Sequence, residues 1–461
     1  MIYLWILAVI FVTLLLAVKY TNGLLYSFFL FFPILPSDFA FKIPFLPRLS
    51  ASRIMLIGLL IVWLLRDKKW LLTVKNVFRH KSFSFLCFTY FASLAGNTVS
   101  GYATVNDCLS FFIQFLLAII IVYYMINDQA EMFLCLRFTL IGAVVVFGMG
   151  IYEFFSGTNL ADSLFITNAY SHLSDRLGMT RASVTMSAIR LGYFCTFMYP
   201  VICALSDKFK NKFYSIAKLL CICTCICTIS RGAILLIIIE MFYFELYRNR
   251  RITKLVVLRS MFFIMAGFGF VIFLTLNKEN VISRIIESTL NSFNSDYYSA
   301  EINNNHAVES RLGQLTIIKW IFLNGRIMCG FGPNAYADGN IYYLRTDGMW
   351  WRLTAGDTGI PTMVAIGGIL LLSGFIAFYI ALFNTYIVRY KSDKTMLGKA
   401  MFISILLLFI SNISSVYFLD NYNIIVYALL LKYSDLNYLD HRENQFKNEE
   451  SVYGFCNNSY I

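Results

Sequence analysis

The chain has 461 residues, of which 59% are hydrophobic and only 14% charged, and its mean hydropathy is +0.67. A soluble domain carries about a quarter charged residues, so a soluble enzyme and a free-standing binding module are both excluded. The net charge of +12 sits in short connectors between apolar runs, a pattern that sets orientation in a membrane rather than affinity for nucleic acid.

In chain order, apolar runs of spanning character fall near 2–18, 22–36, 53–65, 83–95, 108–126, 133–155, 189–205, 214–229, 232–246, 255–276, 358–383, 399–418 and 422–432. The opening MIYLWILAVI lacks a basic stretch and a small-residue cleavage site, which predicts a first anchor rather than a removed signal. Basic residues mark four connectors as cytoplasmic: Arg66 to Lys81, Lys208 to Lys212, Arg248 to Lys254, and Arg389 to Lys399. Connectors 96–107, 156–188, 230–231, 277–357 and 419–421 then fall on the outer side. Counted literally, the runs place the N-terminus outside as well. Reading residues 1–65 as two crossings gives about twelve spans with the N-terminus inside, and that reading is preferred. The expected fold is therefore all-α, a polytopic transmembrane helical bundle forming one membrane domain over 1–431. It carries one large outer loop at 277–357, and 432–461 forms a polar cytoplasmic tail.

The large loop is the main hydrophilic interruption in this chain. Backbone outside helices is tolerated only away from lipid, so chemistry is expected there. The outer side is rich in arginine: Arg176, Arg181 and Arg190 in the second-largest outer loop, Arg231 squeezed between two apolar runs, and Arg311, Arg326, Arg345 and Arg352 in the large loop. A guanidinium at a span end must reach water or find an anion, and a lipid-linked diphosphate suits its bidentate geometry. Packing against carboxylates or carbonyls is the competing reading for Arg190 and Arg231.

Candidate acids and bases in the loop are Asp296, Glu301, His306, Glu309, Asp338, Asp347 and Asp357. Asp357 stands at the mouth of the next span, a position that fits both a helix cap and a site residue. The pairs Tyr297–Tyr298, Tyr342–Tyr343 and Trp350–Trp351 suit either sugar stacking or an interfacial aromatic belt. Among the buried carboxylates, Glu153 closes a span, and Glu240 is expected to pair with Arg137 or Arg259 rather than to relay protons. The cysteines of CICTCIC alternate between helix faces and cannot converge on a metal. Cys108 and Cys329 are the two that could form an outer disulfide. The chain has no Gly-rich nucleotide loop, which argues against coupling to ATP.

The ordered set RASVTMSAIRLGYFCTFMYP, SRGAILLIIIE, ESRLGQLTIIKWIFLNGRIMCGFGPNAY and DTGIPTMVAIGGILLL resembles the bacterial O-antigen polymerase and ligase superfamily. The resemblance covers roughly residues 180–375. Arg181 and Gly192 match its first outer-loop pattern, Ser230, Arg231 and Gly232 its Ser-Arg-Gly element, and Arg311, Trp320 and Gly330-Phe331-Gly332 its large-loop arginine and glycine-rich turn. It implies a GT-C-like, metal-independent glycosyltransferase of the bacterial inner membrane, without cofactors, whose active site faces the periplasm. Its donor and acceptor would be undecaprenyl-diphosphate-linked glycans, with the lipid bilayer and a chain-length regulator as further partners. Arg311, through its match to the family's large-loop arginine, is the first catalytic residue expected, with Asp357 and His306 as candidate bases by their positions in the loop, while Arg181, Arg190 and Arg231 are expected to hold the diphosphate. Ligases of the group carry a histidine just ahead of the span after the large loop. This chain has Asp357 there, which favours the polymerase. The alternatives are a ligase that transfers glycan to lipid A core and a transporter of lipid-linked glycans.

Overall fold

The structure, a computed structural model, describes residues 2–35, 40–41, 49–66, 70–160, 175–176, 179–248, 315–344, 349–353, 359–390, 395–414 and 423–436. These residues are mostly helical, with only three two-stranded antiparallel pairs among them. Among the described residues, four helices are long and apolar enough to cross a membrane: Val105–Met125, Gln129–Ser156, Ala188–Phe209 and Gly359–Ile387. Shorter apolar helices lie at Leu7–Lys19, Gly232–Phe244 and Met396–Asn412. The expected run at 255–276 and most of the large loop lie outside the described residues.

Residues 1–65 hold three helices, α1 (Ile2–Lys19), α2 (Gly23–Phe31) and α3 (Ala51–Arg66), rather than two. The turn between α1 and α2 is pinned at the end of the molecule where Arg66 lies. Arg66 donates to Thr21 O at 2.9 Å, and Asn22 donates to Glu131 at 2.7 Å. A hydrogen bond between Thr13 and Ser27 at 2.6 Å zips α1 antiparallel to α2. The start of α1 therefore points to the opposite end from Arg66. The physical reason is the short polar run Tyr20-Thr21-Asn22-Gly23, which suffices to reverse the chain. Helix α2 has only 9 residues, about 14 Å, so its apolar run reads as a continuation of its neighbours.

After α4 (Trp70–Val77), α5 (Lys81–Val99) and α6 (Val105–Phe111) pair through a short turn. A capping box on Thr104 and Asp107 starts α6, which passes through one π-helical stretch, Phe112–Leu117, into α7 (Ala118–Met125). Helix α8 (Gln129–Ser156) is capped by Asp128, whose carboxylate accepts from Glu131 N at 2.7 Å, and is closed by Gly157 at φ 68°. Its 28 residues run about 42 Å, more than the roughly 30 Å of hydrocarbon. Helix α9 (Ala188–Phe209) is the central element, with every residue from Leu191 to Leu205 buried. A helix apolar all round belongs in the middle of a bundle, and α8, α10 (Lys212–Cys227) and α11 (Arg231–Arg248) pack around it.

The part after residue 314 builds a second, smaller core. Helix α12 (Thr316–Leu323), the turn-rich stretch 324–341 and the hairpin of β1 (Tyr342–Leu344) and β2 (Trp350–Arg352) close over Ile317, Ile321, Phe331 and Ile341. Helix α13 (Gly359–Tyr390) contributes Val364 and Ala365 to this core, and the helix is interrupted at Gly368, φ 65° and ψ −165°. The groups freed by the break are taken up by 327–332. Phe331 N donates to Ala365 O, Gly332 N to Ile366 O, Ile369 N to Ile327 O and Leu370 N to Met328 O, at 2.7 to 3.3 Å. Helix α14 (Met396–Ser414) and residues 423–436 complete the bundle. There Asn412 donates to both Tyr379 and Tyr427, whose hydroxyls lie 2.7 Å apart, a buried polar staple across three segments.

Candidate functional site

Three of the arginines singled out in the sequence come together where loop 181–187 meets the turn between α10 and α11. Arg181 Nε donates to Thr228 O at 2.9 Å, and Ala182 N donates to Cys227 O at 3.0 Å. Arg231 is the first residue of α11, three positions after Thr228. Arg190 lies in the first turn of α9, whose cap Ser187 accepts from Arg190 N at 3.4 Å.

Gly192 is what allows this approach. A Cβ there would stand 2.7 Å from Ala233 Cβ and 3.2 Å from Ser230 Cβ, so the start of α9 touches the start of α11 only with glycine. Two helix N-termini thus meet, each with a partial positive charge and first-turn backbone N–H groups that have no carbonyl of their own helix to donate to. Arginine stands in the first turn of both helices, at Arg190 and Arg231, and Arg181 is hydrogen-bonded to the turn between α10 and α11.

The loop is held by Glu153, at the end of α8. Its buried carboxylate accepts from Ser183 N at 3.1 Å, Val184 N at 2.7 Å, Ser183 Oγ at 2.7 Å and Asn159 Nδ2 at 3.2 Å. With four donors on it, Glu153 is a fixed part of the loop rather than a mobile acid. Across the joint, Val184 (φ 54°) and Ile229 (φ 49°) are both β-branched residues in the left-handed region, which such side chains rarely adopt. Strain of this kind persists only where surroundings over-determine it, and it clusters at functional sites. Sequence reasoning missed Glu153, Val184 and Ile229 in these roles. A carboxylate closing a span was the available signal, but its partners lie thirty residues further on.

Of the other predicted site residues, Arg311, Asp357 and His306 lie outside the described residues, as do Asp296, Glu301, Glu309, Asp347, Arg345, Tyr297 and Tyr298. Asp338 is exposed. The structure gives Arg326 a different role from the anion-seeking one expected of outer arginines. Its Nη2 donates to Asn97 Oδ1 at 2.7 Å, its Nη1 to Ser100 Oγ at 2.8 Å and its Nε to Gly330 O at 3.0 Å, while the guanidinium sits 4.5 Å from the Tyr102 ring centre. That arginine ties the glycine-rich turn to the end of α5. Trp320 packs against Tyr342 at 4.8 Å and Trp350 at 5.1 Å, and its indole N–H donates to Asn340 O. These rings therefore contact one another.

The structure also bears on Glu240 and on the outer cysteines. Glu240 is buried with neither carboxylate oxygen hydrogen-bonded among the described residues, while Arg137 sits over the Phe209 ring at 5.5 Å and Arg259 lies outside those residues. Arg137 has snorkelled to an aromatic face at a helix end instead of reaching into the bundle. Cys108 and Cys329 are both free thiols. Cys108 Sγ lies 3.8 Å from Thr98 Oγ1, whereas Cys329 Sγ fills the space over Gly96, a different side of α5. In CICTCIC, Cys221 donates to Cys195 O at 3.2 Å and Cys225 approaches Gly192 O at 4.0 Å, so these thiols pack α10 onto α9. Searches against protein-family models and against curated proteins find no match for this chain.

Proposed function

We propose that the chain is a metal-independent glycosyltransferase that polymerises polyprenyl-diphosphate-linked repeat units at the periplasmic face of a bacterial inner membrane. On this reading about twelve or thirteen crossings form a GT-C-like scaffold. The observation that carries the proposal is the meeting of Arg181, Arg190 and Arg231 at the N-terminal ends of α9 and α11. The ordered motifs that resemble the O-antigen polymerase and ligase superfamily, of which Arg181 and Arg231 are part, support the same reading.

In the reaction, the hydroxyl oxygen of one carrier-linked repeat attacks the anomeric carbon of the growing chain. The bond from that carbon to the diphosphate oxygen breaks, and its electron pair leaves with the carrier diphosphate. The hydroxyl proton passes to a base, for which Asp357 and His306 are the candidates. Charge grows on the departing diphosphate, so arginines fixed beside two helix N-termini stabilise the transition state more than the ground state. Arg311 would join them from the large loop. The energy of the transfer is already in the diphosphate linkage, which is why no nucleotide is needed.

The interrupted span at Gly368 is the one feature that favours a transporter, since such breaks often hold ions or substrates. Here the freed backbone groups are engaged by 327–332, which leaves that break sealed rather than poised for a ligand. The test is replacement of Arg231, and separately Arg311, with alanine in the source strain, followed by gel analysis of its surface glycan. Loss of long chains with a core bearing one repeat is the expected result. A bare core would instead assign the ligase, and unchanged long chains would overturn the proposal.

A further inference from the structure

A cleft of about 360 Å³ runs along the outside of the bundle between α5 and the π-helical stretch that follows α6. Its volume lies within the range of small-molecule sites. Cys87 and Phe111 form its buried floor, and Phe88, Phe91 and Phe112 stand at its rim, 68%, 58% and 50% exposed. The π-helical stretch accounts for the shape. Phe111 and Phe115 turn inward, with ring contacts to Tyr90 at 4.3 and 6.1 Å, while Phe112 turns outward. π-Bulges of this kind recur at functional sites. From Ser84 to Phe91 the cleft follows about 10 Å of helix, and the hydroxyl of Ser84 already donates to Phe78 O at 2.6 Å. The lining is otherwise apolar, so it suits a hydrocarbon chain.

One end of the cleft is not apolar. It closes on Phe78, next to Arg79, and Lys81 lies one turn before Ser84 on the same helix face. Lys75, Arg79 and Lys81 are all exposed there. Lys432 adds a fourth cation, 4.8 Å from the Tyr123 ring centre. Two carboxylates lie near Lys432: Asp435, engaged by His80 Nε2 at 3.0 Å and by the Tyr123 hydroxyl, and Glu131, engaged by Asn22 Nδ2 at 2.7 Å and Asn127 N at 2.6 Å. Against the four cations they leave the mouth net cationic.

We infer that this cleft is a binding site for an anionic phospholipid, one acyl chain lying between α5 and the π-helical stretch and the phosphate headgroup resting on Arg79 and Lys81. Basic pockets between spans at a membrane face hold anionic headgroups, and the apolar cleft beneath retains the chain. The site lies among elements apart from Arg181, Arg190 and Arg231, so it stands whether or not the glycosyltransferase reading does.

The experiment uses the full-length protein in phosphatidylcholine nanodiscs, titrated with phosphatidylglycerol or with further phosphatidylcholine. Bound lipid is read by native mass spectrometry and the melting temperature by intrinsic fluorescence. Phosphatidylglycerol should be retained at one per chain and should raise the melting temperature. In the Arg79→Gln, Lys81→Gln double variant, both positions exposed, its preference over phosphatidylcholine should fall roughly thirtyfold. Cys87→Phe, which fills the floor, should lower retention of either lipid. Equal retention of the two lipids by the wild type, or a preference that survives the double variant, would overturn the inference.

Discussion

Two joints on the same side of this molecule use arginine in opposite ways. At the glycine-rich turn, Arg326 donates to Asn97, Ser100 and Gly330 and lies against Tyr102, so its charge is consumed within the protein. At the other joint, Arg181 donates to Thr228 O, and Arg190 and Arg231 are first-turn residues of two helices whose N-terminal backbone favours an anion. The backbones differ in the same sense. The first joint places its left-handed residues on glycine, Gly330 at φ 68° and Gly332 at φ 83°. The second forces Val184 and Ile229 into that region. A joint made only for packing adopts glycine wherever the chain must turn, whereas strain retained on bulky residues marks a place where positioning matters more than stability.

That contrast can be broken by substitution. The largest effect is expected for Arg231→Ala: polymer formation by purified protein on synthetic lipid-linked repeats should fall about a hundredfold or more, with little change in melting temperature. A parallel loss of stability would place Arg231 with Arg326 instead. Gly330→Ala should do the reverse, destabilising by about 3 kcal/mol in chemical unfolding. Its new Cβ would lie 2.5 Å from Ala365 O and 2.7 Å from Val364 O, on a backbone that L residues avoid.

Glu153→Gln should destabilise by about 2 kcal/mol, measured the same way. One carboxylate oxygen accepts from both Ser183 N and Val184 N, and the other from Ser183 Oγ and Asn159. An amide can serve only one of those pairs and presents a donor to the other. The smallest change in stability is expected for Ile229→Gly, within about 0.5 kcal/mol, because relief of the left-handed strain offsets the added freedom of the unfolded chain. Its activity should nevertheless drop. Full activity in this variant would show that the strain has no part in placing the arginines.

How much of this was legible in the sequence varies from element to element. Most helices from Ala51 onward fall close to the apolar runs, because lipid and bundle interior demand the same composition along the whole length of a span, whereas α4 and α12 lie in stretches read as connector and loop. The proximity of Arg181 to the start of α11 was suggested by the motif order. Its geometry depends on Gly192, whose missing side chain matters only because Ala233 and Ser230 are opposite. Arg326 was read with the other outer arginines because a charge in a loop looks alike whether its partners are water, phosphate or Asn97. Glu240 was assigned a cationic partner on the rule that buried charges pair, and Arg137 instead took a ring at a helix end.

The sequence by itself determined that the chain is helical and apolar enough for a membrane, where its main turns fall, and that cations crowd its connectors. Those properties follow from local composition, which each segment carries alone. Only the tertiary structure decided which arginine holds the fold together and which ones meet at helix ends, that α13 breaks at Gly368 under cover of 327–332, and that Glu153 fastens a loop thirty residues away. These outcomes depend on hydrogen bonds and close approaches between segments far apart in the chain, where geometry rather than composition selects the partner.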